Sequence, residues 1–322
     1  MNLAGQCFTI WNRLLMRRSN LIFRSILRTS PFVSDPDAQT IIYTVLDRNN
    51  CHAYLLAIKS FFRFFSGQIP CRVVVQDDGS LDAKSRRTLN DHIVGIEIYA
   101  KEDSLAFIRR KSDPELSSLL PPLEQCHFFL TLKLLNVIYR FSDKKIILFD
   151  SDLLFLRQPE FILNWINDGI DQCFYSDGGN SLTAVFREMG FDFSAVDIND
   201  FNAGLIGLWN AIPEPILIGV LRRIAEQDQK LFQNWEIEQA IWSVLFNGLP
   251  NPINLDKVRP DYVASGYWPI KRIQTSIVAH FVGSVRFRRF WYPRLAKQIV
   301  RDLSTRQPDV MAGTTALERG LF

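Results

Sequence analysis

Short apolar runs alternate with segments of helical spacing along the first half of the chain. Strands are predicted for the apolar runs at 40–47, 71–76, 93–99 and 146–149. Helices are predicted for the segments between them, at 51–65, 82–92 and 126–141. This alternation is typical of parallel strands with helices on both faces of the sheet.

The second half of the chain has a more mixed pattern. Strands are predicted near 172–176 and 204–209, and helices near 213–226 and 235–247. We therefore predict an α/β fold with one mixed, Rossmann-like sheet flanked by helices.

The first 30 residues contain five arginines and no acidic residue. On a helical wheel one face carries Phe8, Trp11, Leu15, Ile22 and Ile26, and the opposite face carries Arg13, Arg17, Arg24 and Arg28. The pattern is typical of an amphipathic helix at a membrane surface, of an Arg-rich targeting segment, or of a helix packed on its own domain. With Pro31 and Pro36 marking a linker, we predict a basic helix and linker at 1–36, a main domain at 37–304 and a tail at 305–322.

Composition narrows the class of protein. Hydrophobic residues make up 47% of the 322 positions, which excludes a disordered chain, and the net charge of +3 argues against a dedicated nucleic-acid binder. The five cysteines are scattered singly, so neither a disulfide framework nor a structural zinc site is expected. No apolar window is long enough to cross a membrane. We therefore expect a cytoplasmic protein, with peripheral contact to the inner face of a membrane as a hypothesis for the N-terminal helix.

Acidic residues follow three of the predicted strands. They are Asp47, the pair Asp77–Asp78, and Asp150 with Asp152. Ligands of such sheets bind beyond the carboxyl ends of the strands, where these carboxylates would repel one another unless a cation lay between them. A divalent metal that carries a phosphate is the simplest explanation.

The segment FDSDLLF at 149–155 places two carboxylates at the end of an apolar strand. Ser151 permits a tight turn in which Asp150 and Asp152 reach one hard cation, Mg²⁺ or Mn²⁺. A solvated turn without a ligand is the alternative. At 77–80, DDGS is open to two interpretations: carboxylates that bind a ribose or base, or a turn in which Ser80 or Asp82 caps the next helix.

Three later motifs carry polar groups in apolar surroundings. They are FNAG at 201–204, NWEIEQ at 234–239 and HFVG at 280–283. The last is followed by arginines and aromatic residues at 286–291, a composition that suits nucleic acid or a pyrophosphate; the small net charge favours the pyrophosphate.

Taken in order, these motifs resemble the GT-A-fold nucleotide-sugar glycosyltransferases, above all family 8, which includes glycogenin and lipopolysaccharide galactosyl- and glucosyltransferases. The resemblance spans roughly 40–290. It implies a metal bound by Asp150, Asp152 and His280, and a diphosphate contacted by Arg286. It also implies a donor sugar contacted by Asn202, with Glu238 and Gln239 beneath the reacting carbon. The remaining donor-site residues of this interpretation are Asp47, Asp77, Asp78, Ser151, Asp177 and Gly283.

The resemblance further implies the chemistry. It predicts transfer of a hexose from a nucleotide-sugar, and UDP-glucose and UDP-galactose are the first candidates for the donor. The reaction is expected to need Mn²⁺ or Mg²⁺ and to retain the anomeric configuration. The acceptor is a saccharide, a glycolipid or a protein. The chain departs from the family in having Glu238 where aspartate is usual and Arg286 where lysine is usual, and DDGS is more similar to inverting family 2 enzymes.

Two other functions use the same residues. In a haloacid-dehalogenase-like phosphatase, Asp150 would be the nucleophile and Asp152 the acid–base. That motif normally opens its domain, whereas three predicted strands precede it here. A sugar-nucleotide-binding scaffold without catalysis is the third hypothesis.

Overall fold

A computed structural model of the chain describes most of the central domain. The described residues are 22–65, 70–112, 114–126, 130–167, 172–177, 183–188, 201–209, 212, 214–227, 232, 236–282, 286 and 291–305. The predicted tail lies outside them apart from Thr305, as do residues 1–21 of the predicted N-terminal helix.

Twelve strands lie in the described residues, and those at the predicted runs 40–47, 71–76 and 146–149 match the prediction within one residue at each end. In chain order they are β1 Phe32–Val33, β2 Thr40–Leu46, β3 Cys71–Asp77, β4 Ile93–Val94, β5 Glu97–Tyr99, β6 Lys145–Phe149, β7 Leu153–Phe155, β8 Phe174–Ser176, β9 Asn202–Leu208, β10 Ile253–Asn254, β11 Val263–Ser265 and β12 Val278–His280.

The helices fill the segments between the strands. In chain order they are α1 Cys51–Phe62, α2 Ala83–His92, α3 Lys101–Lys111, α4 Pro114–Cys126, α5 Asn136–Arg140, α6 Glu160–Asn167, α7 Thr183–Glu188, α8 Glu214–Gln227, α9 Ile237–Asn247, α10 Leu255–Val258, α11 Ile270–Thr275 and α12 Trp291–Thr305. Two 3₁₀ turns, Arg24–Arg28 and Arg48–Asn50, and a π-helical turn, Leu130–Leu135, complete the regular structure of the described residues.

The central sheet has seven strands in the order β10-β8-β9-β6-β2-β3-β5. Strands β6, β2, β3 and β5 are parallel to one another, and β9 runs antiparallel to both β6 and β8. Side chains of β2 alternate between two apolar cores, with Ile42 and Leu46 on one face and Ile41 and Tyr43 on the other. Helices therefore cover both faces of a mixed sheet, and the predicted α/β class is confirmed.

A second, three-stranded sheet has the order β11-β12-β7. Three residues separate Phe149, the last residue of β6, from Leu153, the first residue of β7. Strand β7 pairs antiparallel with β12, where His280 is opposite Leu153. Asp150, Ser151 and Asp152 therefore form the connection between the two sheets. This connection positions the candidate site.

Two of the predicted elements differ from those observed. The run 93–99 is not one strand: it divides at Gly95, whose φ of +80° belongs to the left-handed region, and its halves pair with different partners, β1 and β3. Within the helix predicted at 126–141, the described residues form the end of α4 at Cys126, the π-helical turn Leu130–Leu135 and the short α5, and residues 127–129 lie outside the described residues. Apolar spacing alone does not distinguish an α-helix from a π-helical turn.

The described end of the predicted N-terminal helix packs on its own domain. Residues 24–28 form a 3₁₀ turn rather than an α-helix, with Ile26 buried and Arg24 and Arg28 exposed. The ring of Phe23 packs edge-on against Tyr292 of α12, with 4.9 Å between centroids. Among the described helices, none combines the length and the apolar character that a membrane span requires.

A buried lysine holds this N-terminal turn to α1. Lys59 Nζ lies 2.9 Å from Thr29 Oγ1, 2.7 Å from the Ser30 carbonyl oxygen and 3.0 Å from His92 Nδ1. Burial lowers the pKa of Lys59 to about 7. Because the unfolded chain then binds more protons than the folded chain between pH 7 and about 10.5, this group makes stability rise with pH across that window.

We expect Lys59→Met to remove this rise. Between pH 7.5 and 8.5 the free energy of unfolding of the wild type should increase by about 1 kcal/mol more than that of the variant. Urea unfolding of both proteins at the two pH values measures the difference, and other titrating groups cancel in the comparison. Parallel pH profiles would contradict the lowered pKa.

Candidate active site

The two aspartates of the predicted metal motif flank the turn between the sheets. The Asp150 backbone N–H donates to the Gly204 carbonyl in β9 at 2.9 Å, and the Asp152 carbonyl accepts from Phe281 N, directly after β12, at 3.1 Å. Each carboxylate is therefore fixed through the backbone to a different sheet. Ser151 lies between them in the turn.

His280, the last residue of β12, completes the cluster that the sequence predicts. Its Nε2 lies 3.1 Å from Asp152 Oδ1 and 3.8 Å from Asp150 Oδ2. One potential ligand atom from each of the three residues lies within 4.8 Å of the others. With metal–ligand bonds of about 2.1 Å, neighbouring ligands of an octahedral ion are about 3.0 Å apart and opposite ligands about 4.2 Å. The two distances from His280 lie within this range, and two carboxylates with an imidazole are donors that a divalent ion such as Mn²⁺ or Mg²⁺ could bind.

The charges at the cluster also suit a cation. Burial would raise the pKa of Asp152, but His280 and the Arg286 guanidinium more than offset it, so the pKa lies below its usual range. The carboxylate is thus ionised at neutral pH and available as a ligand. Burial lowers the pKa of His280 and the neighbouring Asp152 carboxylate raises it more, for a net upward shift.

The fold explains why a glycine occupies position 204 in the FNAG motif, which the sequence alone did not show. A Cβ at Gly204 would lie 2.3 Å from His280 Cε1 and 2.9 Å from His280 Nδ1. Only a residue without a side chain lets the imidazole lie against β9 in this position. FNAG and HFVG, far apart in the sequence, are therefore parts of one site.

We expect Gly204→Ala to push the imidazole away from Asp152 and to weaken Mn²⁺ binding by at least about tenfold. Isothermal titration with Mn²⁺ measures the affinity. Gly219→Ala on α8 is the matched control, because a Cβ there meets no atom within 4 Å and alanine is favoured in a helix. Equal Mn²⁺ affinity in both variants would show that His280 is not a ligand.

Lys133 is a residue of the site that the sequence did not predict. Its ammonium lies 3.0 Å from Asp150 Oδ1, 3.0 Å from Glu238 Oε1 and 3.1 Å from the Ala203 carbonyl oxygen. It therefore joins a metal-motif carboxylate to the glutamate that the family resemblance places beneath the reacting sugar. Glu238, in the first turn of α9, also accepts a hydrogen bond from Trp242 Nε1 at 3.1 Å.

The buried lysine is charged. Burial lowers the pKa of Lys133, but the carboxylates of Asp150 and Glu238 raise it more, so that it lies above its usual range. Burial raises the pKa of Glu238, and the lysine only partly offsets this. One cation thus keeps two carboxylates together at the edge of the candidate metal cluster.

A buried polar network fixes the π-helical turn that carries Lys133. Tyr43 Oη donates to the Leu132 carbonyl at 2.7 Å and accepts from Asn136 Nδ2 at 3.0 Å. The same amide donates to Gln76 Oε1, which also accepts from Ser104 Oγ. π-Helical turns are frequent at functional sites. Here the turn Leu130–Leu135 carries Lys133.

Arg286 reaches the cluster from the other side. Its Nε lies 3.9 Å from Asp152 Oδ2, and its Nη1 donates to Asn50 Oδ1 at 2.5 Å. The Asn50 amide donates in turn to Asp47 Oδ2, while Asp47 Oδ1 accepts from Asn49 N at 2.7 Å and caps the 3₁₀ turn. Asp47 and Asn50 thus hold Arg286 through a chain of hydrogen bonds, and the predicted role of Asp47 in the donor site stays a prediction.

The DDGS segment folds as a self-contained turn. Asp77 is buried, its Oδ1 accepts from Gly79 N at 2.7 Å and from Leu81 N at 3.0 Å, and its Oδ2 pairs with Arg86. Gly79 has a φ of +98°, which explains the glycine. Asp78 Oδ1 accepts from Ser80 N at 2.8 Å. Both carboxylates thus have structural partners, and their predicted role in the donor site stays a prediction.

The predicted helix cap after DDGS is observed. Asp82, rather than Ser80, is the N-cap of α2, and its side chain accepts from Ser85 N. The loops after β2 and β3 are joined by a hydrogen bond from Arg48 N to Ser80 Oγ at 2.9 Å.

The remaining predicted residues lie around β9 and α9. Asn202 begins β9 and its Oδ1 accepts from Gly204 N at 2.7 Å, which leaves its amide N–H groups as potential donors to a ligand. Gln239 follows Glu238 on α9 and is half-buried. Asp177 follows β8, and its backbone N–H donates to Asp256 Oδ2 at 3.2 Å. Gly283 lies outside the described residues.

Comparisons with known proteins give fold-level similarity of low strength. No protein-family model matches the chain, and no curated protein matches it. The galactosyltransferase LgtC, in complex with donor and acceptor sugar analogues, is 16% identical over 84% of this chain and 98% of its own, with a TM-score of 0.44. Mouse xyloside xylosyltransferase 1 is 10% identical over 78% of this chain and 98% of its own, with a TM-score of 0.43.

A third similar structure is the bifunctional glycosyltransferase WbbM, at 12% identity and a TM-score of 0.47. The match covers 84% of this chain but only 50% of WbbM.

Proposed function

We propose that the protein is a metal-dependent glycosyltransferase that moves a hexose from a nucleotide-sugar to an acceptor hydroxyl. The observation that carries the proposal is the cluster of Asp150, Asp152 and His280, in which one ligand atom from each residue lies within 4.8 Å of the others. The cluster lies where the sheets meet, beyond the carboxyl end of β6. Nucleotide ligands of open α/β sheets bind at this edge.

The residues of this cluster have definite roles in the proposal. Asp150, Asp152 and His280 hold the divalent ion, which when bound supplies positive charge to the departing diphosphate. Arg286, oriented by Asn50 at 2.5 Å, binds the same diphosphate as a fixed cation.

The donor sugar is assigned to the opposite side of the cluster. Asn202 donates to the sugar through its amide, and Lys133 holds Glu238 at 3.0 Å, so that the carboxylate and the neighbouring Gln239 face the reacting carbon at a fixed distance from the metal ligands. Because Lys133 contacts both Asp150 and Glu238, it links the proposed metal site to the proposed sugar site.

The finer assignments rest on the family resemblance. They are the UDP-sugar donor, with UDP-glucose or UDP-galactose first, the choice of Mn²⁺ or Mg²⁺, and retention of configuration. The ¹H coupling constant of the product's anomeric proton tests retention. The acceptor class and contact of the N-terminal segment with a membrane are part of the same proposal.

A thermal-shift panel tests the function. We expect UDP or a UDP-sugar to raise Tm only when Mn²⁺ is present, and EDTA to abolish the effect. Slow hydrolysis of the preferred UDP-sugar in the absence of acceptor should follow the same metal dependence. GDP-sugars and other nucleotide-sugars are included in the panel, and the increase in Tm that each one produces ranks the possible donors.

The other hypotheses give different results in the same experiment. A phosphatase that used Asp150 as nucleophile would hydrolyse a generic phosphate ester and ignore nucleotide-sugars. A scaffold would show nucleotide-dependent stabilisation without hydrolysis or transfer. No response to any nucleotide with metal would reject the glycosyltransferase.

A further inference from the structure

Helix α12 presents three basic residues to solvent along one line. Arg294, Lys297 and Arg301 are exposed, and helical geometry places them within an arc of about 60° on the helix surface. The opposite face is apolar and buried, with Leu295 and Ile299 in the core on one side of the central sheet. We call these three cations the basic stripe.

The basic stripe does not stabilise its own helix. Arg294 and Lys297 are three residues apart and Lys297 and Arg301 are four apart, and like charges at these spacings repel one another. The first turn of α12 has no acidic residue and its last turn has no basic residue, so the charges gain nothing from the helix dipole. Helix α3 has the favourable arrangement, with Glu102 and Asp103 in its first turn and three basic residues in its last.

Among the described residues, no carboxylate pairs with the basic stripe. Asp302 is the one acidic residue of α12, and its carboxylate lies 2.9 Å from Arg63 Nη1 instead. The positive charge of the stripe therefore remains available to an anionic partner.

A cavity opens beside the basic stripe. It has a volume of about 260 Å³ and lies between α12, α11 and the residues that follow β7. Its polar lining includes Gln298, Gln274 and the exposed Arg157. Because Gln298 directly follows Lys297 and precedes Arg301 by three residues, the cavity borders the stripe. A guanidinium and two amides are donors that suit a phosphate group.

The 3₁₀ turn near the N-terminus adds to the basic surface. This turn packs on Tyr292 of α12 and exposes Arg24, Leu27 and Arg28. No acidic residue occurs in the first 34 positions of the sequence. Cations beside an exposed apolar side chain are typical of surfaces that contact anionic membranes.

We propose that the basic stripe, with the adjoining turn and cavity, is a docking surface for a membrane rich in anionic phospholipids. This surface belongs to the folded domain rather than to the N-terminal segment, and its role does not depend on glycosyl transfer. Each cation near such a membrane raises the affinity about fivefold, so the three of the stripe contribute up to about a hundredfold. The net charge of +3 and the exposed leucine favour a membrane over a nucleic acid.

Co-sedimentation of the full chain with vesicles tests the proposal. The probes are vesicles of phosphatidylcholine alone and vesicles of phosphatidylcholine and phosphatidylglycerol in equal amounts. We expect binding to the mixed vesicles only, and release in about 1 M salt, where screening limits charge interactions to about 3 Å. The triple variant Arg294→Gln, Lys297→Gln, Arg301→Gln should bind at least about tenfold more weakly, and Arg157→Gln about fivefold more weakly.

The matched control removes three charges from the other side of the molecule. Arg109, Arg110 and Lys111 are exposed in the last turn of α3, whose Ile108 packs in the core on the opposite face of the central sheet. Their replacement by glutamine lowers the net charge by the same amount and should leave vesicle binding unchanged. Without vesicles, the stripe variant should unfold at the Tm of the wild type or above it, because a repulsion is removed.

Several results would overturn the docking surface. They are no binding of the wild type to mixed vesicles, equal binding by the stripe variant and the wild type, equal losses in the stripe and control variants, and a lowered Tm of the stripe variant. Tighter binding of duplex DNA than of vesicles, lost in the stripe variant, would assign the stripe to nucleic acid. Thermal shift with UDP and Mn²⁺ tests the glycosyltransferase separately, and the stripe variant should respond like the wild type.

Discussion

Replacement of Asp152 by asparagine is expected to lower turnover of the nucleotide-sugar by a factor of about 10³ or more. Asp152 is the most enclosed carboxylate of the cluster, it lies 3.1 Å from His280 Nε2, and its lowered pKa keeps it ionised. Asparagine preserves the shape of the side chain but removes the charge that a divalent ion needs. The measurements are metal-dependent hydrolysis of the donor and Mn²⁺ affinity, and both should fall together.

Asp91→Asn is the matched control for this substitution. Asp91 is an exposed carboxylate on α2 and lies outside the candidate site. Wild-type activity is expected for this control. An active Asp152→Asn protein would exclude the metal role of the motif, whereas loss of activity with unchanged Mn²⁺ affinity would assign Asp152 to another step.

Replacement of Lys133 by methionine is expected to destabilise the protein as well as to inactivate it. The lysine is buried and lies 3.0 Å from both Asp150 and Glu238, so its removal leaves two carboxylates at a partly buried site without a shared cation. Removal of one partner of a buried ion pair lowers the free energy of unfolding by about 3–5 kcal/mol. Urea unfolding should show a loss of about 3 kcal/mol at pH 7 in the absence of divalent ions.

Addition of Mn²⁺ gives this prediction a second readout. A cation bound at Asp150 partly replaces the lost charge, so Mn²⁺ should recover more stability in Lys133→Met than in the wild type. Lys84→Met, at an exposed position of α2, should leave stability within about 0.5 kcal/mol of the wild type. A Lys133→Met protein as stable as the wild type would mean that Lys133 does not pair the two carboxylates.

The fold was predictable where strands are short, apolar and buried on both sides. Strands β2, β3 and β6 were placed within one or two residues, because such runs fit few other structures. The division of 93–99 at Gly95 was missed because apolar spacing is the same for one strand and for two short strands with different neighbours. The π-helical turn within the predicted helix 126–141 was not predicted, because apolar spacing alone does not distinguish such a turn from an α-helix.

The candidate site was predictable where its residues follow strands. Asp150 and Asp152 at the end of β6, and His280 at the end of β12, reach one cluster because the two sheets meet there. Lys133 and Asn50 were not predicted because nothing nearby in the sequence marks their partners, which are 17 and 236 residues away along the chain. Asp77 was assigned to the donor site because an acidic pair ends a strand there. Its contacts with Gly79, Leu81 and Arg86 form only in the folded turn, and its role toward a donor stays a prediction.

The connection between the two sheets has a mechanical consequence. Asp150 is tied by its backbone to β9 of the large sheet, and Asp152 is tied to the residue after β12 of the small sheet. A cation bound by both aspartates would cross-link the two sheets. Any movement of one sheet relative to the other would change the distance between Asp150 and Asp152 and so weaken the binding of the cation. Backbone amides along β7 and β12 should then exchange their hydrogens more slowly when Mn²⁺ is present, and the two layers should open together rather than one after the other.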